Sequence, residues 1–281
     1  MFSNAVHGKS TSYRIEEILG EGGFGKVAKS RRADTKELVA IKMSHDSGAF
    51  KHEVAALLKL QHLDGDRCNI VRFIEHFTHK TKYCLVFELL DLTLFDYWSS
   101  RRFNPLHLYE IRVIAQQMLV ALDALKSIGL VHSDIKLDNI VLVNHRLQPY
   151  KIKLIDFGCA AEGSKLERRT RVQTLPNRSP DVILGLPLTE AIDMWSLGAL
   201  LTILFTSKRL TSFYSVSLSS CVPFVLICFT AFTFVFYAFF SLPCCYSKYS
   251  DSLLSVCLVI HVGYDAYATV CLDFCSFALN E

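Results

Sequence analysis

His132-Ser-Asp-Ile-Lys-Leu-Asp-Asn139, followed downstream by Asp156-Phe-Gly158, is the stretch on which the reading of this chain turns. Two apolar runs of strand character, Ile140–Val143 and Ile152–Ile155, lie between the two strings. Phosphoryl transfer asks for a carboxylate that orients and accepts the proton of an attacking hydroxyl, a cation near the γ-phosphate, and oxygen ligands for Mg2+. Asp134, Lys136, Asn139 and Asp156 supply these at the spacing H-x-D-x-K-x-x-N followed by D-F-G. Any one such string arises by chance; four in fixed order, with strands between them, do not.

Upstream, Leu19-Gly-Glu-Gly-Gly-Phe-Gly-Lys-Val27 sets Gly20, Gly22 and Gly25 in a G-x-G-x-x-G pattern between two strand candidates. Glycine lets backbone approach phosphate oxygens closely. A strand rather than a helix follows, which disfavours a dinucleotide-binding turn. The whole string, with Glu21, Gly23, Phe24 and Lys26, is a candidate nucleotide loop. Val39-Ala-Ile-Lys42 follows, and Glu53 comes 11 residues after Lys42 on the inner face of an expected helix. A lysine ending an apolar strand needs a partner, and Glu53 would aim its ammonium at the α/β-phosphates.

The hydropathy pattern divides the chain. Arg14–Leu19, Lys26–Arg31, Leu38–Met43, Val71–Thr78 and Tyr83–Leu89 read as strands, interrupted by a helix near Phe50–Gln61 whose inner face holds Phe50, Glu53, Val54, Leu57 and Leu58. From Thr93 the period becomes helical, with long segments near Leu106–Leu125 and Glu190–Phe205. A β-rich lobe joined to an α-rich lobe is expected, an α+β architecture. Residues 1–207 carry 27 Lys+Arg against 23 Asp+Glu, too mild a balance to imply a nucleic-acid partner without a basic stripe. The N-terminus has no basic region followed by an apolar run, so no signal peptide is expected.

On these motifs the chain resembles a eukaryotic protein kinase over about Tyr13–Thr206. Within that family it is similar to the dual-specificity tyrosine-regulated kinases, and more so to the homeodomain-interacting protein kinases. Supporting strings are Leu85-Val-Phe-Glu-Leu-Leu90, Leu125-Lys-Ser-Ile-Gly-Leu-Val-His132, Gln148-Pro-Tyr-Lys-Ile-Lys-Leu-Ile-Asp-Phe-Gly158 and Val182-Ile-Leu-Gly-Leu-Pro-Leu-Thr-Glu-Ala-Ile-Asp-Met-Trp-Ser-Leu-Gly198. The resemblance implies a bilobal kinase fold, with residues 1–12 as an extension, 13–89 as the N-lobe and 90–207 as a partial C-lobe. It also implies ATP and Mg2+, with Ala40 among the ATP-binding residues, Phe87 as gatekeeper beside the adenine pocket, Glu88 and Leu90 offering backbone hydrogen bonds to adenine, and Asp193 holding the catalytic loop from below. Asp134 and Lys136 are then the catalytic pair, and Asn139 and Asp156 the metal ligands. Protein serine/threonine phosphorylation is the implied activity, with transcriptional regulators among the substrates and a nuclear or cytoplasmic location. A kinase-like module that binds nucleotide without turnover is the alternative.

Six positions depart from the common kinase pattern. Ser133 stands where many kinases have arginine, and relatives of the resembled subfamily lack that arginine too. The segment Asp156–Asp181 has no tyrosine, Arg171 taking the place of the autophosphorylated one. Leu175, Pro176 and Asn177 replace an arginine-aromatic-tyrosine stretch, so a preference for proline after the phosphorylated residue does not carry over. Asp181 replaces a glutamate. Ser164, Thr170 and Thr174 are hydroxyls open to modification.

Beyond Ser207 the resemblance stops, where further C-lobe helices are expected. Residues 208–281 carry only three basic and four acidic residues and seven of the ten cysteines, and Leu210–Ser247 has no charge at all. The cysteines show no paired finger spacing, so no zinc site is expected. The leading reading of this tail is a pyrimidine-rich intron translated in frame, since the composition suits thymine-rich codons. Cys221–Phe240 is also long enough to span a bilayer, so a membrane anchor is the second reading and a diverged soluble lobe the third. Under the first two readings the helix bearing Met194, Trp195, Leu197, Leu200, Leu201 and Leu204 is expected to lose its cover and expose an apolar face.

Overall fold

The structure is a computed structural model that describes residues 5–22, 25–167 and 172–207. The chain divides into two units, Met1–Leu200 and Leu201–Glu281, and nearly all described residues belong to the first. Its N-terminal part is an antiparallel sheet of β1 (Ala5–His7), β2 (Ser12–Gly22), β3 (Gly25–Arg32), β4 (Leu38–Ser44), β5 (Phe73–His79) and β6 (Lys82–Glu88). The spatial order is β1-β2-β3-β4-β6-β5. In β4 the two-residue period of a strand turns Val39, Ile41 and Met43 into the core and leaves Ala40 and Lys42 for the opposite face. That alternation is what delivers Lys42 to the site.

Within the expected N-terminal extension, the described residues 5–12 join the sheet. Ala5–His7 pairs with Ser12–Arg14, placing Val6 opposite Tyr13 and inside the core that also holds Ala28, Phe77 and Val86. A three-residue strand carries too little periodicity to be read beforehand.

Between β4 and β5 runs α1 (Ser47–Leu60), started by Asp46, whose carboxylate accepts from Gly48 N–H at 2.8 Å and Ala49 N–H at 3.0 Å. Glu53, Val54, Ala56, Leu57 and Leu60 are buried. Leu58, expected on this face, is 45% exposed: at about 100° per residue it falls past Val54, beyond the buried arc. Ala56 and Leu60 complete the face instead.

The helical part comprises α2 (Leu94–Ser100), α3 (Leu108–Ser127), α4 (Pro180–Leu184) and α5 (Ala191–Thr206). Two short ribbons accompany them, β8 (Ile140–Asn144) with β9 (Gln148–Leu154), and β7 (Leu130–Val131) with β10 (Ala161–Glu162). Ile111, Ile114, Ala115, Met118, Ala121, Leu122 and Leu125 form a buried stripe at helical spacing along α3. The helix starts at Leu108 rather than Leu106 because Glu110 Oε2 accepts from His107 N–H at 2.6 Å, capping the first turn.

Among the described residues no helix is long and apolar enough to cross a membrane. The 221–240 stretch lies outside them, as do Gly23, Phe24, Thr170, Arg171 and the rest of 208–281.

Candidate active site

The β2–β3 hairpin closes with Gly22 opposite Gly25. Gly25 has φ +113°, and a Cβ there would stand 2.0 Å from the Met43 carbonyl oxygen, so no other residue fits. Gly20 and Gly22 differ: a Cβ on either would meet no protein atom within 4 Å. Packing does not require glycine there, yet both line a cleft of about 340 Å3. The open space above them is a cradle that side chains would fill, which is what a phosphate chain needs.

Val27, Ala40, Phe87, Glu88 and Leu90 from the sequence reading also line this cleft, as do Glu21, Lys42, Glu53 and Asp156. Leu19 instead is 49% exposed, and Lys26 pairs with Glu21 Oε2 at 3.0 Å at the hairpin surface. Val71, Leu89, Val141 and Ile155 line it too and escaped the motif reading. Val141 sits in β8, which pairs with β9 just before Asp156, but no motif spacing pointed to it. Val71 offered no local signal.

Deep in the cleft Lys42 Nζ lies 2.9 and 2.8 Å from the two oxygens of Glu53 and 2.8 Å from Asp156 Oδ1. One ammonium thus joins a strand, α1 and the segment after β9. Burial disfavours the charged lysine, but the Glu53 and Asp156 carboxylates more than offset it and hold its pKa above the ordinary value. Burial likewise opposes the Asp156 carboxylate, and Lys42 pulls its pKa below the ordinary range. Both groups therefore remain ionised at neutral pH. Phe157, fully buried, packs edge-on against His132 at 5.0 Å between ring centroids.

The other half of the site is the loop after β7. Asp134 Oδ2 accepts from Lys136 Nζ at 2.6 Å and from Asn139 Nδ2 at 3.2 Å, while Oδ1 accepts from the Thr174 hydroxyl at 2.6 Å. Asn139 Nδ2 also donates to the Asp134 carbonyl at 2.9 Å. His132 is fixed at both nitrogens, Nε2 donating to Ile155 O at 2.9 Å and Nδ1 accepting from Asp134 N–H at 3.2 Å. A carbonyl only accepts, so the ring proton is on Nε2. Beneath the loop, the buried Asp193 carboxylate accepts from His132 N–H at 2.7 Å and Ser133 N–H at 2.9 Å, and burial pushes its pKa up. Ser133 and Asp156 both have positive φ, 66° and 60°. Such backbone costs about 1–3 kcal/mol per residue and persists only where neighbours enforce it.

The residue types also suit a hard cation. Asn139 uses its amide nitrogen on Asp134, leaving its amide oxygen as the donor atom, and Asp156 brings a carboxylate. Among the described residues there is no group of three or more His, Cys, Asp or Glu that could hold a metal by themselves, so a cation here would take further oxygens from phosphate or water.

Thr174 was expected only as a modifiable hydroxyl, and its contact with Asp134 is a site feature that motif spacing missed. Gln173 positions it: Nε2 donates to Ile192 O at 2.7 Å and to Ser196 Oγ at 2.8 Å, while Oε1 accepts from Ser179 N–H at 2.9 Å. Asn177 Nδ2 donates to Ile135 O at 2.8 Å, tying the same segment to the Asp134 loop.

A glycine-closed sheet, a lysine clamped by a helical glutamate, and a carboxylate loop braced from below together define a protein kinase fold. The sequence model for the protein kinase domain matches residues 13–220, and the chain belongs to that family. It is 48% identical over 200 residues to homeodomain-interacting protein kinase 1 of Mus musculus, covering 70% of this chain and 16% of the relative. Its counterpart in Caenorhabditis elegans is 46% identical over 197 residues, covering 69% of this chain and 23% of that one. Homeodomain-interacting protein kinase 4 of Homo sapiens is 37% identical over 204 residues, covering 70% and 33%. The chain thus spans a third or less of the length of these relatives. A crystal structure of a kinase domain superposes with a TM-score of 0.67 at 29% identity, covering 70% of this chain and 65% of that one.

Proposed function

We propose that this chain is an ATP-dependent protein kinase that transfers the γ-phosphoryl group to serine and threonine hydroxyls of proteins. The observation that carries the reading is the Asp134 carboxylate, braced by Lys136, Asn139 and Thr174, together with the Lys42–Asp156 pair that lines the cleft. Asp134 orients the attacking hydroxyl and accepts its proton, an effect of about 10²–10⁴ in rate. Lys136 neutralises charge on the transferred group, and Lys42, held by Glu53, sets the α/β-phosphates. Gly20 and Gly22 admit the phosphate chain, while Ala40, Val71 and Val141 supply apolar walls for a base beside Phe87. Asn139 and Asp156 would hold Mg2+, which when bound neutralises phosphate oxygens.

By the names of the relatives, homeodomain proteins are the proposed partner class, with transcriptional regulators as substrates in the nucleus. Transfer from γ-labelled ATP to a serine/threonine protein substrate is the direct test. Wild type should label it, and Asp134→Asn should not. Equal labelling by both would sink the reading.

A further inference from the structure

Lys153 is the second-to-last residue of β9, where alternation between the buried Ile152 and Leu154 predicts an ordinary lysine facing water, yet its side chain is 1% exposed. Burying an ammonium costs several kcal/mol unless it is paired. Its Nζ stands 2.6 Å from Glu88 Oε1 and 2.6 Å from Asp66 Oδ1. The two arms differ in weight. Asp66 is 83% exposed and solvent screens it, whereas Glu88 is only 15% exposed. Lys153 draws the Asp66 carboxyl below its ordinary pKa, but solvent screening at that exposure leaves the arm little weight.

Glu88 is the last residue of β6 and lines the cleft. Its Oε1 also accepts from Arg72 N–H at 2.6 Å, and its own N–H donates to Arg72 O at 3.1 Å. Lys153 pairs in register with Val141, another cleft residue, and lies three positions before Asp156 on the same run of chain. One ammonium therefore couples the strand that delivers Asp156 to the residue whose backbone borders the adenine side.

We propose that Lys153 is a positioning residue for nucleotide: through the Glu88 side chain it fixes the backbone at the end of β6 relative to the strand that leads into Asp156. This rests on the cleft being the nucleotide site. The alternative is a lysine that only stabilises the fold, and the two separate in a double variant. Lys153→Met alone strands a buried carboxylate and lowers stability. Lys153→Met/Glu88→Gln removes both charges, leaves no buried ion unpaired, and should recover the melting temperature.

ADP binding by the full chain, measured by titration calorimetry, reads the site without turnover. The double variant should melt like wild type yet bind ADP about fivefold or more weakly, with KM for ATP raised and kcat unchanged. Recovery of ADP affinity together with the melt overturns the inference, as does Lys153→Met binding ADP like wild type. A wild-type chain that binds ADP but transfers no phosphate sinks the kinase reading alone, and ADP affinities of the variants still decide the role of Lys153. A wild type that binds no ADP overturns both.

Discussion

Thr174 donates its hydroxyl to Asp134 Oδ1 at 2.6 Å across 40 residues of chain. Lys136 and Asn139 hold the other oxygen, so Thr174 is what keeps the carboxylate from rotating. A hydrogen bond to a charged group contributes about 1.5–3 kcal/mol. Thr174→Ala should therefore lower kcat about ten- to a hundredfold, whereas Thr174→Ser should stay close to wild type. Thr174→Glu should be inactive, because it sets a second negative charge against Asp134. Steady-state kinetics on one peptide substrate distinguish these, and wild-type kcat in Thr174→Ala would remove the residue from the site.

The Lys42–Glu53 pair is shielded from solvent, at 13% and 6% side-chain exposure. Truncating one partner of a buried charge pair costs about 2–5 kcal/mol. Glu53→Gln should accordingly lower kcat/KM for ATP about thirtyfold or more, and the loss should persist at high salt because little of the pair is screened. A loss that disappears as ionic strength rises would place the pair at the surface and contradict the geometry.

What could be read in the sequence follows the range of the interaction. Asp134, Lys136 and Asn139 lie within one turn of loop, so their spacing is nearly their geometry. Lys42 and Glu53 were legible because a strand period and a helix period each fix a face, and the two faces meet. Thr174 was legible only as a hydroxyl, since its partner is reached by the chain folding back through Gln173, whose φ of 67° no residue pattern announces. Lys153 looks like any strand lysine until β6 supplies Glu88 from 65 residues away. Val6 shows the same limit, its three-residue strand acquiring meaning only beside Tyr13. Leu58 failed for a different reason, since a run of apolar residues marks a helix more surely than it marks the edge of the buried arc.

Asp193 satisfies two buried backbone donors, His132 N–H and Ser133 N–H. Removing the acceptor leaves both unpaired, at about 1–3 kcal/mol each. Asp193→Ala should lower the Tm by about 5–15 °C for a domain of this size. Restraint of Ser133 at positive φ should weaken with it, so kcat should fall at temperatures where the variant is still folded. A melt within about 2 °C of wild type, well inside that expected shift, would show that the loop does not depend on this carboxylate.

Glu110 gives the pH dependence its sign. Its side chain is 1% exposed, and its oxygens accept from Arg101 Nη1 at 2.5 Å, Tyr150 OH at 2.8 Å, Tyr97 OH at 3.1 Å and His107 N–H at 2.6 Å. Burial alone would raise its pKa, but His107 N–H, the Tyr150 hydroxyl and Arg101 together bring it below the ordinary value. A depressed carboxylate contributes stability above its unfolded pKa of about 4.3, and loses it as pH falls through the folded value. Wild type should therefore lose stability on descending below about pH 4.3 more steeply than Glu110→Gln, which has no proton to take up there. At pH 7 the variant should be less stable by about 3 kcal/mol, the cost of leaving Arg101 without its carboxylate. Urea midpoints measured across the acid range would show two curves converging as pH falls, and parallel curves would mean that Glu110 is not the group that titrates.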